Sequence, residues 1–445
     1  MARTERRWPI LALVLLLLAS AARGEEPVGD GERIDALERR VAELEAAERA
    51  EGAGGAWLPG WTERVRLGGS ASAGYFRRGE LTPEDDHAFQ IWDARLFVDA
   101  ELAEDAAVGD VPIVRNVGAT FEWDLVRIGE LQNQVGELYA DFQGLGGRSF
   151  ANVQVGRFQI PVGENYLRFS KGYRDNPFIS NTVGGPWWWD EGLRFYGEEA
   201  RGRFGYVASI SNGDTRFDAD PNTDPQGTLK LYTDPWPWLH VSVSGLASGE
   251  IGRSSEAAPG ALWLGETWAM AIGSRTAVPT FADGLPVPDG PNRISHTWLA
   301  GADVVLTPVD GLRLWLAGGR YHIEARGSGP YDRNLDYWIA EVVAGGRLVS
   351  RALDPLYLAL RANGITTGDG GRGYLLDARH LDSLGFNMRN LDELSAALGL
   401  RIGELVRVRG EYAFQNVDLV RGVNPAISSQ IDDEHWFAFD VGIAF

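Results

Sequence analysis

The run Phe89-Gln90-Ile91-Trp92-Asp93-Ala94-Arg95-Leu96-Phe97-Val98-Asp99-Ala100-Glu101-Leu102 decides the fold class. Trp92, Ala94, Leu96, Val98, Ala100 and Leu102 alternate with Asp93, Arg95, Phe97, Asp99 and Glu101. A strand puts two such sets on opposite faces. Residues 116–125 repeat the pattern, with Val117, Ala119, Phe121, Trp123 and Leu125 opposed by Asn116, Thr120, Glu122 and Asp124. At the chain end, Phe437, Phe439, Val441, Ile443 and Phe445 share one face. These runs are about ten residues or longer, enough for a tilted bilayer span, whereas soluble strands average roughly five or six. Acids and arginines at mid-strand suit a wet lumen rather than a dry core.

The expected fold is therefore all-β: a transmembrane antiparallel β-barrel over residues 61–445 with 16 strands, or 18 as the alternative. Loop lengths support sixteen. Long connections at 161–190, 250–294 and 366–392 alternate with short links at 145–149, 200–202, 235–237, 307–310, 350–354 and 403. The 103–114 connection is long for the short-turn side, and an added strand around residues 263–272 would change the parity. The terminal Phe445 resembles the assembly signal of bacterial outer-membrane proteins, which implies recognition by the barrel assembly machinery.

Composition narrows the function classes. The 445 residues include no cysteine, which excludes disulfides and thiolate metal sites. A net charge of −20 disfavours a nucleic-acid partner, which needs a basic surface. The acids cluster at Glu84-Asp85-Asp86, from Asp214 to Asp224, and at Asp432-Asp433-Glu434. In external loops they would bind divalent cations between lipopolysaccharide phosphates.

The N-terminus reads as an export signal over residues 1–22. Arg3, Arg6 and Arg7 precede an apolar run from Ile10 to Ala19, and Ser20-Ala21-Ala22 offers a cut after Ala22. No other apolar stretch approaches the length of a membrane helix. Residues 23–60 form a lead in which Ile34, Leu37, Val41 and Leu44 keep heptad spacing for two heptads. That pattern fits a short coiled-coil stem, a solvated amphipathic helix or a linker.

Two segments carry a family resemblance. Val155-Gly156-Arg157-Phe158-Gln159-Ile160-Pro161-Val162-Gly163-Glu164 resembles the strand-then-turn of the phosphate-selective porin O/P family. Asp190-Glu191-Gly192-Leu193-Arg194-Phe195-Tyr196-Gly197 is similar to that family's following strand. The resemblance implies an outer-membrane homotrimer whose long loops fold into the lumen, with residues 161–190 as the main constriction. That loop would present Arg168, Lys171 and Arg174 to passing anions. Strand parity turns Arg95, Arg313, Arg347, Arg361, Arg401, Arg407 and Arg409 inward as well, where guanidinium forks suit oxyanions. Asp93, Asp99, Glu101, Glu122, Asp124, Glu137, Asp141, Glu341 and Glu411 share that face and oppose a purely anionic preference.

The expected function is passive diffusion of small hydrophilic solutes, with anions such as phosphate among the candidates and no cofactor. An occluded structural or adhesive barrel is the alternative. An outer-membrane enzyme is a further one, but the six histidines, His87, His240, His296, His322, His380 and His435, stand singly and outside nucleophile or zinc motifs.

Overall fold

In a computed structural model of the chain, the described residues are 64–77, 87–108, 111–127, 130–164, 176–180, 182, 189–199, 202–212, 225–248, 294–325, 333–367, 374–376, 386–419 and 433–445. The chain divides into two units, Met1–Glu63 and Arg64–Phe445. All described residues belong to the second, so the expected export signal and helical lead lie outside them, as does the segment 263–272, where an added strand would change the parity.

Period-two sequence becomes strand throughout. The strands are β1 (Val65–Arg77), β2 (His87–Val108), β3 (Val111–Arg127), β4 (Glu130–Gln143), β5 (Asn152–Gln159) and β6 (Trp189–Glu198). Then come β7 (Phe204–Ser211), β8 (Gln226–Trp236), β9 (Leu239–Ser248), β10 (Ile294–Val309), β11 (Leu312–Ala325) and β12 (Arg333–Gly345). The series ends with β13 (Leu356–Thr367), β14 (Tyr374–Leu376), β15 (Phe386–Ile402), β16 (Val406–Leu419) and β17 (Asp433–Ala444). Every neighbouring pair is antiparallel, and β1 bonds to both β2 and β17, so the sheet closes on itself. The three-residue β14 lies beside β15 just beyond the stretch that β13 flanks, so it extends an existing row, and the wall has sixteen strands. β9 pairs directly with β10, and the closed wall has sixteen strands rather than the alternative eighteen. β2 and β3 run far enough toward each other to shorten the apparently long 103–114 link.

The faces of the wall are inverted relative to a soluble protein. Outward, Leu96, Leu138, Val155, Leu193, Ile210, Leu229, Val243, Leu316, Leu398, Phe437, Phe439 and Val441 are exposed. Inward, Thr120, Glu122, Gln154, Ser209, Thr228, Ser244, Asn363, Ser395 and Glu411 are buried. An apolar belt around a polar interior is the arrangement that lipid outside and solute inside require. At the short-turn end, Asp310-Gly311 reverses the chain with Gly311 at φ +87°, a conformation in which glycine carries no Cβ penalty.

Two expectations need correction. Trp92 was grouped with the outward set, yet it is 1 % exposed and stacks on Phe76 with ring centroids 4.3 Å apart. The cause is a β-bulge: pairing shifts between Ser72 and Ala73, so Ser72 faces Asp93 while Ala73 faces Ile91, and Trp92 turns inward. Arg347 was placed on an inward strand face, but β12 ends at Gly345 and Arg347 lies in a 3-10 turn, Gly346–Leu348.

The seam gives a direct test. A Cβ on Gly74 would collide with the Phe439 carbonyl oxygen across the β1–β17 pairing, whereas one on Gly410 would meet open space. Gly74→Val is expected to abolish the faster migration of the unheated barrel on denaturing gels, and Gly410→Ala to retain it.

Candidate functional site

The site is built by the connection from β5 to β6, whose described parts leave the wall and cross into the lumen. Pro161 has no N–H to continue the ladder and Gly163 turns the chain at φ +66°. The connection is then caught by strands that are not its neighbours. Glu164 Oε1 accepts hydrogen bonds from Lys230 Nζ on β8 at 2.6 Å and from Ser242 Oγ on β9 at 2.8 Å. His240 Nε2 lies 2.9 Å from the same oxygen. Gly163 N donates to Ser244 Oγ at 3.0 Å, and Glu164 N to Asp303 Oδ1 on β10 at 3.2 Å. Trp315 Nε1 donates to that same Asp303 oxygen at 3.0 Å and keeps it in place.

The electrostatics of this first anchor are internally consistent. Burial alone would raise the Glu164 carboxyl, but the His240 hydrogen bond and the Lys230 charge outweigh it and hold the group down to about 2. His240 Nδ1 faces Asp234 Oδ1 at 2.8 Å while its Nε2 faces Glu164, and only a doubly protonated ring can donate to both carboxylates.

A second anchor lies across the lumen. Ile179 N and Ser180 N donate to Glu411 Oε2 of β16 at 2.6 and 2.8 Å, and Ser180 Oγ donates to the other oxygen of that carboxylate. Arg361 on β13 donates to Ser180 Oγ and to its carbonyl, pairs with Glu393 at 3.3 Å, and sits 4.2 Å over the Phe178 ring. Arg409 donates to the Phe178 carbonyl at 2.6 Å and to Asp440 Oδ1 at 2.9 Å. Arg407 reaches the Asn176 carbonyl at 3.3 Å, and Tyr357 Oη the Pro177 carbonyl at 3.0 Å. Apolar packing completes the hold: Phe178 clusters with Tyr357, Ala359 and Ala397, and Ile179 with Phe76, Trp92, Trp189 and Trp436. Backbone carbonyls that the connection would otherwise bury unpaired thus take charged donors from the wall.

The expected arginines divide by role. Arg361, Arg407 and Arg409 hold the inward connection. Arg95 is 2 % exposed and bound among Asp93, Glu122 and Asp124 at 3.2, 3.0 and 3.3 Å. Arg313 and Arg401 line a cleft at the short-turn end, and Arg347 pairs with Asp310 there at 2.8 Å. Arg168, Lys171 and Arg174 lie outside the described residues. Glu164, Lys230, His240 and Ser180 were not singled out in the sequence. The only signal for them was Glu164 at the end of the Pro-Val-Gly turn and Lys230 as one of just two lysines. Among the described residues no group of His, Asp and Glu has metal-binding geometry.

No family model matches the sequence, and no curated protein matches it. Solved structures do match. The outer membrane channel DcaP of Acinetobacter baumannii is 12 % identical, with 86 % of this chain and 97 % of that one covered at a TM-score of 0.53. The trimer form of OmpT, an outer membrane protein of Vibrio cholerae, is 11 % identical, with 86 % and 99 % covered at 0.51. An anion-selective porin from Comamonas acidovorans is 10 % identical, with the same coverage at 0.50. At such identities the likeness establishes the fold they share.

The first anchor can be tested on its own. Glu164→Gln removes the carboxylate that Lys230, 1 % exposed, contacts at 2.6 Å, and taking one partner from such a buried pair costs about 3–5 kcal/mol. Amide exchange at Gly163 and at position 164 of this variant is expected to accelerate on the order of 10²- to 10⁴-fold while wall amides stay protected. In the wild type, the carboxylate's contribution is fully present above its ordinary value of 4.5 and is lost as pH falls through about 2. Protection of the Gly163 amide, taken relative to intrinsic exchange at each pH, should therefore be lost only in strong acid.

Proposed function

We propose that this chain is a porin of the bacterial outer membrane that lets small hydrophilic solutes diffuse down their gradients. The observation that carries the reading is the inward connection fixed to two arcs of wall by buried ionic groups. Such a crossing narrows a lumen that sixteen strands would otherwise leave wide, and a fixed narrowing is what a size-selective passage needs. The apolar belt, the polar interior and the export signal support the location.

Charge along the inner wall bears on selectivity. Among the described buried side chains, carboxylates outnumber arginines and lysines roughly two to one. Carboxylate-lined walls attract cations and repel anions. The passage therefore takes cations and neutral solutes readily. Phosphate passage, as kinship with the phosphate-selective O/P porins would have it, would rest on Arg168, Lys171 and Arg174. A homotrimer, contact of the acidic external loops with lipopolysaccharide, and recognition by the assembly machinery through Phe445 belong to the same proposal. The Phe445 backbone already bonds the β1 edge, its N–H donating to Gly69 O at 3.0 Å.

Reconstitution in a planar bilayer under a potassium chloride gradient is the test. Discrete conductance steps with a reversal potential of cationic sign are expected, and the absence of steps would overturn the reading in favour of an occluded barrel. The triple variant Arg168→Ala, Lys171→Ala, Arg174→Ala should shift the reversal potential further toward cations. An unchanged potential would remove these three from the selectivity machinery.

A further inference from the structure

A cavity of about 470 Å³ lies at the short-turn end of the barrel, among the ends of β10, β11, β12, β13 and β15. Its size falls within the ~300–1,000 Å³ usual for small-molecule sites. Pro177 of the inward connection forms part of the lining, its carbonyl held by Tyr357 Oη. Backbone bonds tie the surrounding turns together, Gly345 N donating to Gly311 O at 2.6 Å and Arg401 N to Pro355 O at 2.8 Å.

Charge decides what the cavity can take. Its arginines are all engaged: Arg347 Nη1 meets Asp310 Oδ2 at 2.8 Å, the Arg401 guanidinium lies 5.5 Å from the Tyr357 ring centroid, and Arg313 interacts within the protein as well. The lining therefore reserves no guanidinium for an anion. A cation fares no better, because the two carboxylates of the lining, Asp310 and Asp354, stand among three arginines. An apolar body would strip water from these ionic groups and replace none of its hydrogen bonds. What the lining does offer is donors and acceptors side by side. The Arg347–Asp310 pair stays open to solvent, at 44 % and 73 % side-chain exposure. A guanidinium has five N–H groups and a carboxylate two oxygens, so a single contact leaves both able to bond further. Thr307 adds a hydroxyl, and Leu312 and Val343 add hydrocarbon.

We propose that this cavity is a binding site for a neutral polyhydroxylated solute of sugar size, held at the periplasmic end of the passage. A sugar hydroxyl both donates and accepts, so two neighbouring hydroxyls can bridge the ion pair without disturbing its charge balance. One accepts from Arg347 and the other donates to Asp310. The C–H face of the ring lies along Leu312 and Val343, where its burial releases water. As a station on the solute path the site rests on the porin reading and agrees with a wall that admits neutral solutes. Its occupancy is measurable without any current.

The test is isothermal titration of the full chain at neutral pH, in a zwitterionic detergent without a sugar headgroup, with glucose, benzoate, inorganic phosphate and choline. Glucose is expected to bind saturably and at least tenfold more tightly than any of the other three. The Asp310→Ala, Arg347→Ala double variant should lose at least tenfold in glucose affinity. Because the pair is exposed, its removal should leave the unheated barrel's gel mobility unchanged. Should the double variant fail to fold, Asp310→Asn, which keeps the turn chemistry ahead of Gly311, is expected to lose at least threefold. No saturable glucose binding, a charged probe binding as tightly as glucose, or folded variants that bind glucose like the wild type would each overturn the proposal. Saturable glucose binding by a barrel that shows no conductance steps would uphold the site and overturn the porin reading.

Discussion

Backbone pairing without an edge is the constraint on which everything else in this molecule depends. A wall facing hydrocarbon cannot leave peptide groups unbonded, since each would cost several kcal/mol. The sheet meets that demand by pairing β1 with β17, and the last residue joins in, with Gly69 N donating to Phe445 O at 2.8 Å. Closure fixes which face of every strand looks outward. The alternation of Leu and Phe with Asp, Arg and Ser then becomes an apolar belt around a polar interior. Once the interior is polar, a segment that enters it can be held only by polar means.

The inward connection follows from this. Glu164 brings a carboxylate to a place prepared by Lys230, His240 and Ser242, while Ser180 and the neighbouring backbone meet Glu411, Arg361 and Arg409. Each anchor joins parts of the sheet distant in sequence, and each is complementary in charge. Desolvating such groups is costly, so the networks favour one geometry over others more than they favour folding as a whole. Around the second anchor, Phe178 and Ile179 add the apolar contact that ionic groups alone lack. The crossing is thereby rigid at its two described ends, as a passage of fixed width requires.

Much of this was legible in the sequence. Period-two runs such as residues 116–125 and 433–445 announced their strands, and short against long links gave their number, because closure imposes parity on both. Trp92 misled because a one-residue bulge opposite Ser72 and Ala73 reverses facing without changing composition. Arg347 misled because Gly345-Gly346 ends the strand where alternation would carry it on. Pro161 and Gly163 signalled the turn away from the wall, but not its destination. Glu164 and Lys230 are separated by 66 residues, and Ser180 and Glu411 by 231, so only the closed sheet brings them together. Arginine parity marked the right wall for Arg361 and Arg409, yet gave no hint that their donors would be taken by loop carbonyls.

The most direct measurement concerns the crossing itself. The chain contains no cysteine, so paired cysteines can be introduced on a silent background. Phe178→Cys with Ala359→Cys places one thiol on the inward connection and the other on the wall it packs against. A short dithiol reagent applied to the folded barrel is predicted to link the two in high yield, giving a band of altered mobility. If the pair fails to link while a pair across the β1–β17 seam links readily, the connection does not cross the lumen, and the account of a fixed internal narrowing is wrong.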